Sequence, residues 1–585
     1  MELLKTSGVK FGTSGARGLV SDMTDRVCYG FTAVFLECAL SRAGGRRAEA
    51  GAPGGAVTSD ELRVTRGGGA LLRVGDGRPE TGRVVLGHDL RPSSPGIARA
   101  CARAVMDWGA EVVYAGALPT PALALYGLEC GAPVVVVTGS HIPFDRNGIK
   151  FYREDGEMTK EDEVAMMACE VEVSEVVEPA VLPDVEQRAR ELYVQRYLDF
   201  FGARALAGMR IGVYEHSSVA RDVVREVLEG LGAEVVSLGR TETFVPIDTE
   251  AVRPEDVKQA REWAREVGFD AIVSTDGDGD RPLIGDERGE WMRGDVVGIL
   301  CAEFLGASAV VTPVSCNTAV ECALSRAGGG GACGAGGEGD ERREARDRGT
   351  LLRAGGGRAE TGDRSGCSVE EGVTSDELRV TRGGGALSCA GDGRAEAGVV
   401  RVVRTRIGSP YVIAGMEDVE TDGVVVGYEA NGGFLLGSDV VRDGKVLRAL
   451  PTRDAVLPML VVLCMARERG CRVSEVTDWL PERYTASDRL KEVPTEWSRE
   501  LIDRLLGDRE EMRQLLGPGS GEVVMVDMTD GLRVTFENGD IVHLRPSGNA
   551  PELRCYAEAG SVERAQELCE GALGRVLPTD YTDLH

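Results

Sequence analysis

No stretch of this 585-residue chain is apolar for long enough to cross a bilayer. The best run, LPMLVVLCM at 457–465, falls far short of the roughly 20 residues that a spanning helix needs. The first residues, MELLKTSGVKFGTSG, lack the apolar centre of a signal peptide. A soluble, cytoplasmic protein with no membrane partner is therefore expected. A basic excess is missing too. The formal net charge of −28 argues against a nucleic-acid partner, although arginines and backbone N–H groups can still gather around a small anion in an acidic protein. The 15 cysteines are odd in number and include no CxxC pair. They read as mostly free thiols in a reducing compartment, not as a disulfide scaffold.

What is present is a rhythm. VVLGHD precedes SPGIARACARAVMDWGA, EVVYAG precedes PTPALALYGLECGA, and MRIGVYEHSS precedes VARDVVREVLEGLGA. Short β-rich runs alternating with helical stretches predict parallel sheets, and the length predicts several domains. The tail differs. VVMVDMTDGLRVTFENGDIVHLRPS holds three strand-like runs joined by DG and NGD turns, which predicts antiparallel hairpins.

Two stretches break the rhythm. ECALSRAGG occurs at 37–45 and 321–329, and VTSDELRVTRGGGAL at 57–71 and 373–387. About 38–83 and about 322–398 contain no Phe, Trp, Tyr or Lys. They offer little apolar surface against a backbone ordering cost of roughly 1–2 kcal/mol per residue. Both read as copies of one flexible, passive insert at equivalent surface connections of two similar domains, where extra length adds little closure entropy.

Four loops hold chemistry. TGSHIPFDRNGIKFY follows VVVV and exposes Ser140 and His141 at a strand end, returning with Lys150; a plain turn has the same composition. STDGDGDRP gathers Asp276, Asp278 and Asp280, whose repulsion calls for a cation, and all-oxygen ligation suits Mg²⁺. An EF-hand is disfavoured because Arg281 stands where its glycine belongs, and a structural Asp-rich turn stays open. GYEANGG offers Glu429 and Asn431 to sugar hydroxyls, or simply forms an Asn-Gly turn. RPSGNAPELR sets Arg545, Ser547, Gly548 and Asn549 around a possible phosphate, or around nothing. A fifth, glycine-rich loop, KFGTSGARGLV, contains Arg17 and lacks the GK[ST] of a P-loop.

Taken in order, FGTSGARG, GHDLRPSS, TGSHIPFDRNGIKFY, DGDGDRP, GYEANGG and RPSGNAPELR resemble the α-D-phosphohexomutase superfamily over nearly the whole chain outside the inserts. The resemblance implies three similar α/β domains plus a smaller C-terminal α+β domain around a central cleft. The boundaries expected are 1–195, 196–306, 307–480 and 481–585. It further implies a phosphorylated Ser140, a Mg²⁺ site formed by Asp276, Asp278, Asp280 and a Ser140 phosphate oxygen, and Arg17 and Lys150 beside the transferring group. Lys150 is a candidate general acid/base, with His141 aiding proton movement or bracing the loop. Arg281, Glu429 and Asn431 would meet the sugar, while Arg545, Ser547, Gly548 and Asn549 would hold its second phosphate.

The implied partners are hexose phosphates and a hexose bisphosphate activator. GYEANGG favours interconversion of mannose 6-phosphate and mannose 1-phosphate, with glucose or glucosamine phosphates as alternatives. A non-catalytic sugar-phosphate binder and a Mg²⁺-dependent phosphatase are the rivals from other classes. Ile142, His88, Ser409 and Asn549 depart from common family residues, and Ser409 bears on sugar choice.

Overall fold

A computed structural model describes residues 2–12, 15–39, 82–325, 380–381, 400–547 and 551–577. Three sheets in it repeat one pattern. In the first, Arg83–His88 is flanked in parallel by Glu111–Ala117 and Val134–Val137, and Val134–Val137 turns back into antiparallel Arg146–Arg153. In the second, Arg210–Tyr214 lies between Glu234–Leu238 and Ala271–Thr275, and the latter turns back into Pro282–Gly285. In the third, Ala307–Pro313 lies between Arg401–Thr405 and Val424–Tyr428, which turns back into Phe434–Leu436.

These strands form because their valine-rich runs are buried on both faces, as in the fully buried Val134–Val137. Helices start and stop around them by ordinary signals. Pro121 opens Thr120–Cys130, and a left-handed Gly131 closes it. Apolar side chains from the three α/β domains form one continuous core that includes Val134, Val273 and Val426. Helix Arg188–Phe201 ties it together, and its Tyr193 hydroxyl donates to Asp454 Oδ1 at 2.5 Å.

The C-terminal sheet is antiparallel through Val523–Asp527, Leu532–Phe536, Ile541–Pro546, Glu552–Ala559 and Tyr484–Lys491. Its DG and NGD turns place Gly531 and Gly539 at positive φ, as the hairpin signals predict. This domain has a core of its own. The architecture is therefore three α/β domains and a smaller α+β domain.

One expectation is overturned. The stretch at about 38–83 precedes the central strand Arg83–His88 of its sheet, whereas the stretch at about 322–398 falls between the central strand Ala307–Pro313 and the edge strand Arg401–Thr405. The two connections are not equivalent. Matching flanks could not reveal this, because equivalence depends on strand order. Most of both stretches lies outside the described residues; Val380–Thr381 of the second pairs in parallel with Val526 and Asp527. Among the described residues, Cys28, Cys101, Cys301 and Cys316 are buried free thiols, and Cys169 is disulfide-bonded. Among the described residues, no helix is long and apolar enough to cross a membrane.

Candidate active site

Each repeated sheet ends its third parallel strand in a loop before the chain turns back. Those three loops are 138–145, 276–281 and 429–433, and each stands at the C-terminal end of a buried strand, where open α/β sheets bind ligands.

The first loop holds Ser140 in an unusual backbone state, φ +52. A non-glycine residue there costs of order 1 kcal/mol or more and persists only when its surroundings impose it. They do. The Ser140 N–H donates to Thr138 Oγ1 at 2.8 Å, and that hydroxyl donates to Asp89 Oδ2 at 2.8 Å. Arg91, buried and paired with Asp89 at 3.3 Å, donates to the carbonyls of Ser140, Ile142, Pro143 and Arg146 at 2.9, 2.5, 2.7 and 2.9 Å. A Cβ on Gly139 would lie 2.6 Å from this guanidinium, so only glycine admits it. The other face of Arg91 stacks 4.0 Å above Phe244 of the second domain.

The second loop meets the first. Ser140 Oγ donates to Asp276 Oδ2 at 2.5 Å, and a Cβ on Gly277 would come within 2.6 Å of the Ser140 carbonyl. Oxygens of Asp276, Asp278 and Asp280 lie within 4.8 Å of one another, all buried. Lys150 Nζ, from the strand that leaves the serine loop, donates at 2.7 Å to both Asp278 Oδ2 and Asp280 Oδ2. Thr120 Oγ1 donates to Asp278 at 2.5 Å. Burial, with Asp278 and Asp280 nearby, raises the Asp276 carboxyl well above its usual range. Burial also works against ionised Asp278, but Lys150 overcomes it and holds that group below its usual value. The remaining oxygens, Asp278 Oδ1 and Asp280 Oδ1, are buried without a hydrogen-bond partner. Three crowded carboxylates with orphaned oxygens fit a hard divalent cation.

His141 stands 3.2 Å from Ser140 Oγ through Nδ1, which also receives an N–H of Arg281 at 3.1 Å. Burial first, then Arg281 and Arg17, push His141 well below its ordinary value. The imidazole is therefore neutral with Nδ1 as acceptor, since arginine can only donate. Burial with Arg281 and Arg453 lowers Arg17 to about 10, and its Nε has no hydrogen-bond partner. Guanidinium groups crowded together in this way form a receptor for an anion.

In the third loop, Glu429 is buried and reached by Arg453 at 3.4 Å; Arg453 also pairs with Asp280 at 3.0 Å. Asn431 spends its Oδ1 on the Gly433 N–H at 2.9 Å, the ordinary Asn-Gly turn contact. Ser409 donates to Glu157 Oε2 of the first domain at 3.1 Å. Arg545 is on the C-terminal sheet, paired with Asp530 at 2.9 Å, and the Ser547 N–H donates to the Glu552 carbonyl at 2.8 Å. Gly548 and Asn549 lie outside the described residues.

Ser140, His141, Lys150, Asp276, Asp278, Asp280 and Arg281 thus come together directly, with Glu429 joined through Arg453. Sequence reasoning missed Asp89, Arg91, Thr120 and Arg453. The first two sit in a quoted motif, GHDLRPSS, as a charged pair just past a buried strand, and that was the available signal.

Models of the four phosphoglucomutase/phosphomannomutase domains match this chain: α/β/α domain I at residues 47–173, domain II at 191–289, domain III at 388–484 and the C-terminal domain at 501–573. The chain is 39% identical to a phosphomannomutase of Salmonella muenchen, covering 98% of this chain and 97% of the relative. It is 37% identical to a phosphomannomutase of Sinorhizobium fredii, covering 96% and 97%. The fold matches that of a putative phosphomannomutase from Thermus thermophilus, with a TM-score of 0.61, 18% identity, and coverage of 97% of this chain and 98% of that one.

Proposed function

The chain belongs to the phosphoglucomutase/phosphomannomutase family, and from that premise we propose that Ser140 carries and returns a phosphoryl group while mannose 6-phosphate and mannose 1-phosphate interconvert. The enzyme is a mutase. The observation that bears most weight is the Ser140 hydroxyl 2.5 Å from Asp276, at the meeting point of the acidic loop, Lys150 and the arginines.

Phosphoserine 140 donates its phosphoryl group to the free hydroxyl of a hexose monophosphate. The sugar, now a bisphosphate, reverses its orientation and returns the other phosphate to Ser140. Phosphoryl transfer needs alignment and charge compensation more than covalent help. The strained, fully bonded Ser140 backbone supplies alignment. Arg17 and Arg281 supply charge beside the transferring group. Lys150 supplies a proton, and neutral His141, whose Nδ1 accepts from Arg281, braces that arginine next to Oγ. Asp276, Asp278 and Asp280 would hold Mg²⁺, whose contribution is positive charge against the phosphoryl oxygens. Glu429 would take sugar hydroxyls, and Asn431, whose side chain is partly used in its turn, would shape that loop. Arg545 and Ser547, with Gly548 and Asn549, would grip the phosphate that does not react.

Purified active enzyme is expected to carry phosphate on Ser140, read by peptide mass spectrometry. Coupled assays should show mannose 1-phosphate turned over faster than glucose 1-phosphate or glucosamine 1-phosphate; the reverse order would reject the mannose assignment. Exhaustive chelation is expected to lower turnover by about 10³-fold or more, with recovery on adding Mg²⁺. Full activity after chelation would remove the metal role of the acidic loop. Release of inorganic phosphate in place of isomerised sugar would mark a phosphatase.

A further inference from the structure

The C-terminal domain has its own core and exchanges hydrogen bonds with the third domain, among them those from Asn317 to the Arg483 carbonyl and from the Thr318 N–H to Glu558. One set of these falls on the turn 529–531. Asp530 Oδ2 pairs with Arg545 Nε at 2.9 Å, and the same carboxylate oxygen accepts the N–H of Ile407, in the third domain, at 2.9 Å. The turn is pinned to the strand that bears Arg545, because His543 Nε2 donates to the Asp530 carbonyl at 2.5 Å. Gly531, at φ +91, completes that fit; a Cβ there would lie 2.4 Å from the Leu544 carbonyl. From the third domain, Arg406 Nε donates to the Thr529 carbonyl at 3.1 Å.

A carboxylate beside a phosphate-binding arginine would repel the phosphate unless it does something in return. Here it fixes the arginine. Asp530 holds the guanidinium by charge, as an ion pair 2.9 Å from Nε that is not a hydrogen bond, and leaves the Nη groups of Arg545 for a dianion; Arg554 lies across the strand pair as its register neighbour. Because the oxygen that pairs with Arg545 also takes the Ile407 amide, contact between the third and fourth domains adds to the hold on Asp530 and through it on Arg545. Domains joined by polar contacts over separate cores are free to part.

We infer that Asp530 is a positioning residue that couples contact between the third and fourth domains to the orientation of Arg545. This rests on the reading of Arg545 as the clamp on the non-reacting phosphate.

The test is initial-rate kinetics on full-length, bisphosphate-primed enzyme with mannose 1-phosphate, comparing D530A, D530N and R545A. Circular dichroism and melting midpoint report folding of each variant. D530A is expected to raise KM about tenfold or more while kcat changes less than about threefold, as for a group that acts through ground-state orientation of a binding residue. D530N keeps an oxygen for the Ile407 N–H but loses the charge that holds Arg545, and should raise KM to an intermediate degree. If D530A does not fold, D530N alone decides. KM unchanged in the folded Asp530 variants, with KM raised in R545A, overturns the inference and leaves the clamp intact. A fall in kcat at unchanged KM overturns it too, since that is the mark of a structural defect felt elsewhere. KM unchanged in R545A removes the clamp reading, and the inference falls with it.

Discussion

S140A enzyme, supplied with hexose bisphosphate, is expected to lose about 10⁴-fold or more of its turnover, on the scale seen when a covalent nucleophile is deleted. No neighbour can stand in. Asp276 is committed to the acidic loop, and the His141 nitrogen that faces Oγ already receives Arg281. The loss should come without loss of fold. The bonds that impose φ +52 run through the Ser140 backbone, from its N–H to Thr138 and from Arg91 to its carbonyl, and alanine keeps both. Alanine and serine pay similar amounts to adopt that backbone state. The measurement is a coupled isomerisation assay beside intact-mass and melting data. A folded S140A protein that still interconverts mannose phosphates within tenfold of wild type would dismiss the phosphoserine route. A wild-type protein that never carries phosphate and never turns over would instead support a sugar-phosphate binder.

Much of this site can be read from the chain because its loops are written in turn chemistry against apolar strands. VVVV followed by TGSH, and FDAIV followed by STDGDGD, announce a strand end and a polar loop in eight and twelve residues. The alternation of strand and helix likewise announces parallel sheets, and the hairpin signals of the tail match the observed registers. Arg453 gives no such notice. It stands in LPTRDAVLPMLVVLCM, at the end of a short strand and just before a buried helix, where the apolar pattern dominates. Its importance comes from reaching Asp280, 173 positions earlier in the chain, and no local pattern encodes that contact. The same limit explains the misjudged inserts. Their copies can be matched by eye, but whether two connections are equivalent depends on which strand is central in each sheet.

The second large effect belongs to Arg91, which never touches substrate in this scheme. R91A is expected to destabilise the first domain by about 3–5 kcal/mol, since it strands Asp89 as a buried, unpaired charge. Asp89 is 1% exposed, so water offers little relief. Four loop carbonyls lose their donor at the same time, and the stacking on Phe244 that links the first domain to the second disappears. Once the loop is released, Ser140 can relax from its strained φ, and a displacement of about 1 Å in a reacting group is enough to cost about 100-fold in rate. R91K separates the two contributions. A lysine keeps a positive charge near Asp89, so stability should largely recover. Its three N–H groups cannot reach four carbonyls spread over Ser140, Ile142, Pro143 and Arg146, because the planar fork is gone. The expected result is therefore R91K with a near-normal denaturant midpoint, KM within a few fold of wild type, and kcat still depressed by about tenfold or more. If R91K regains full kcat, the guanidinium does not hold the nucleophile in place, and the alignment of Ser140 must come from Thr138 and Asp89 alone.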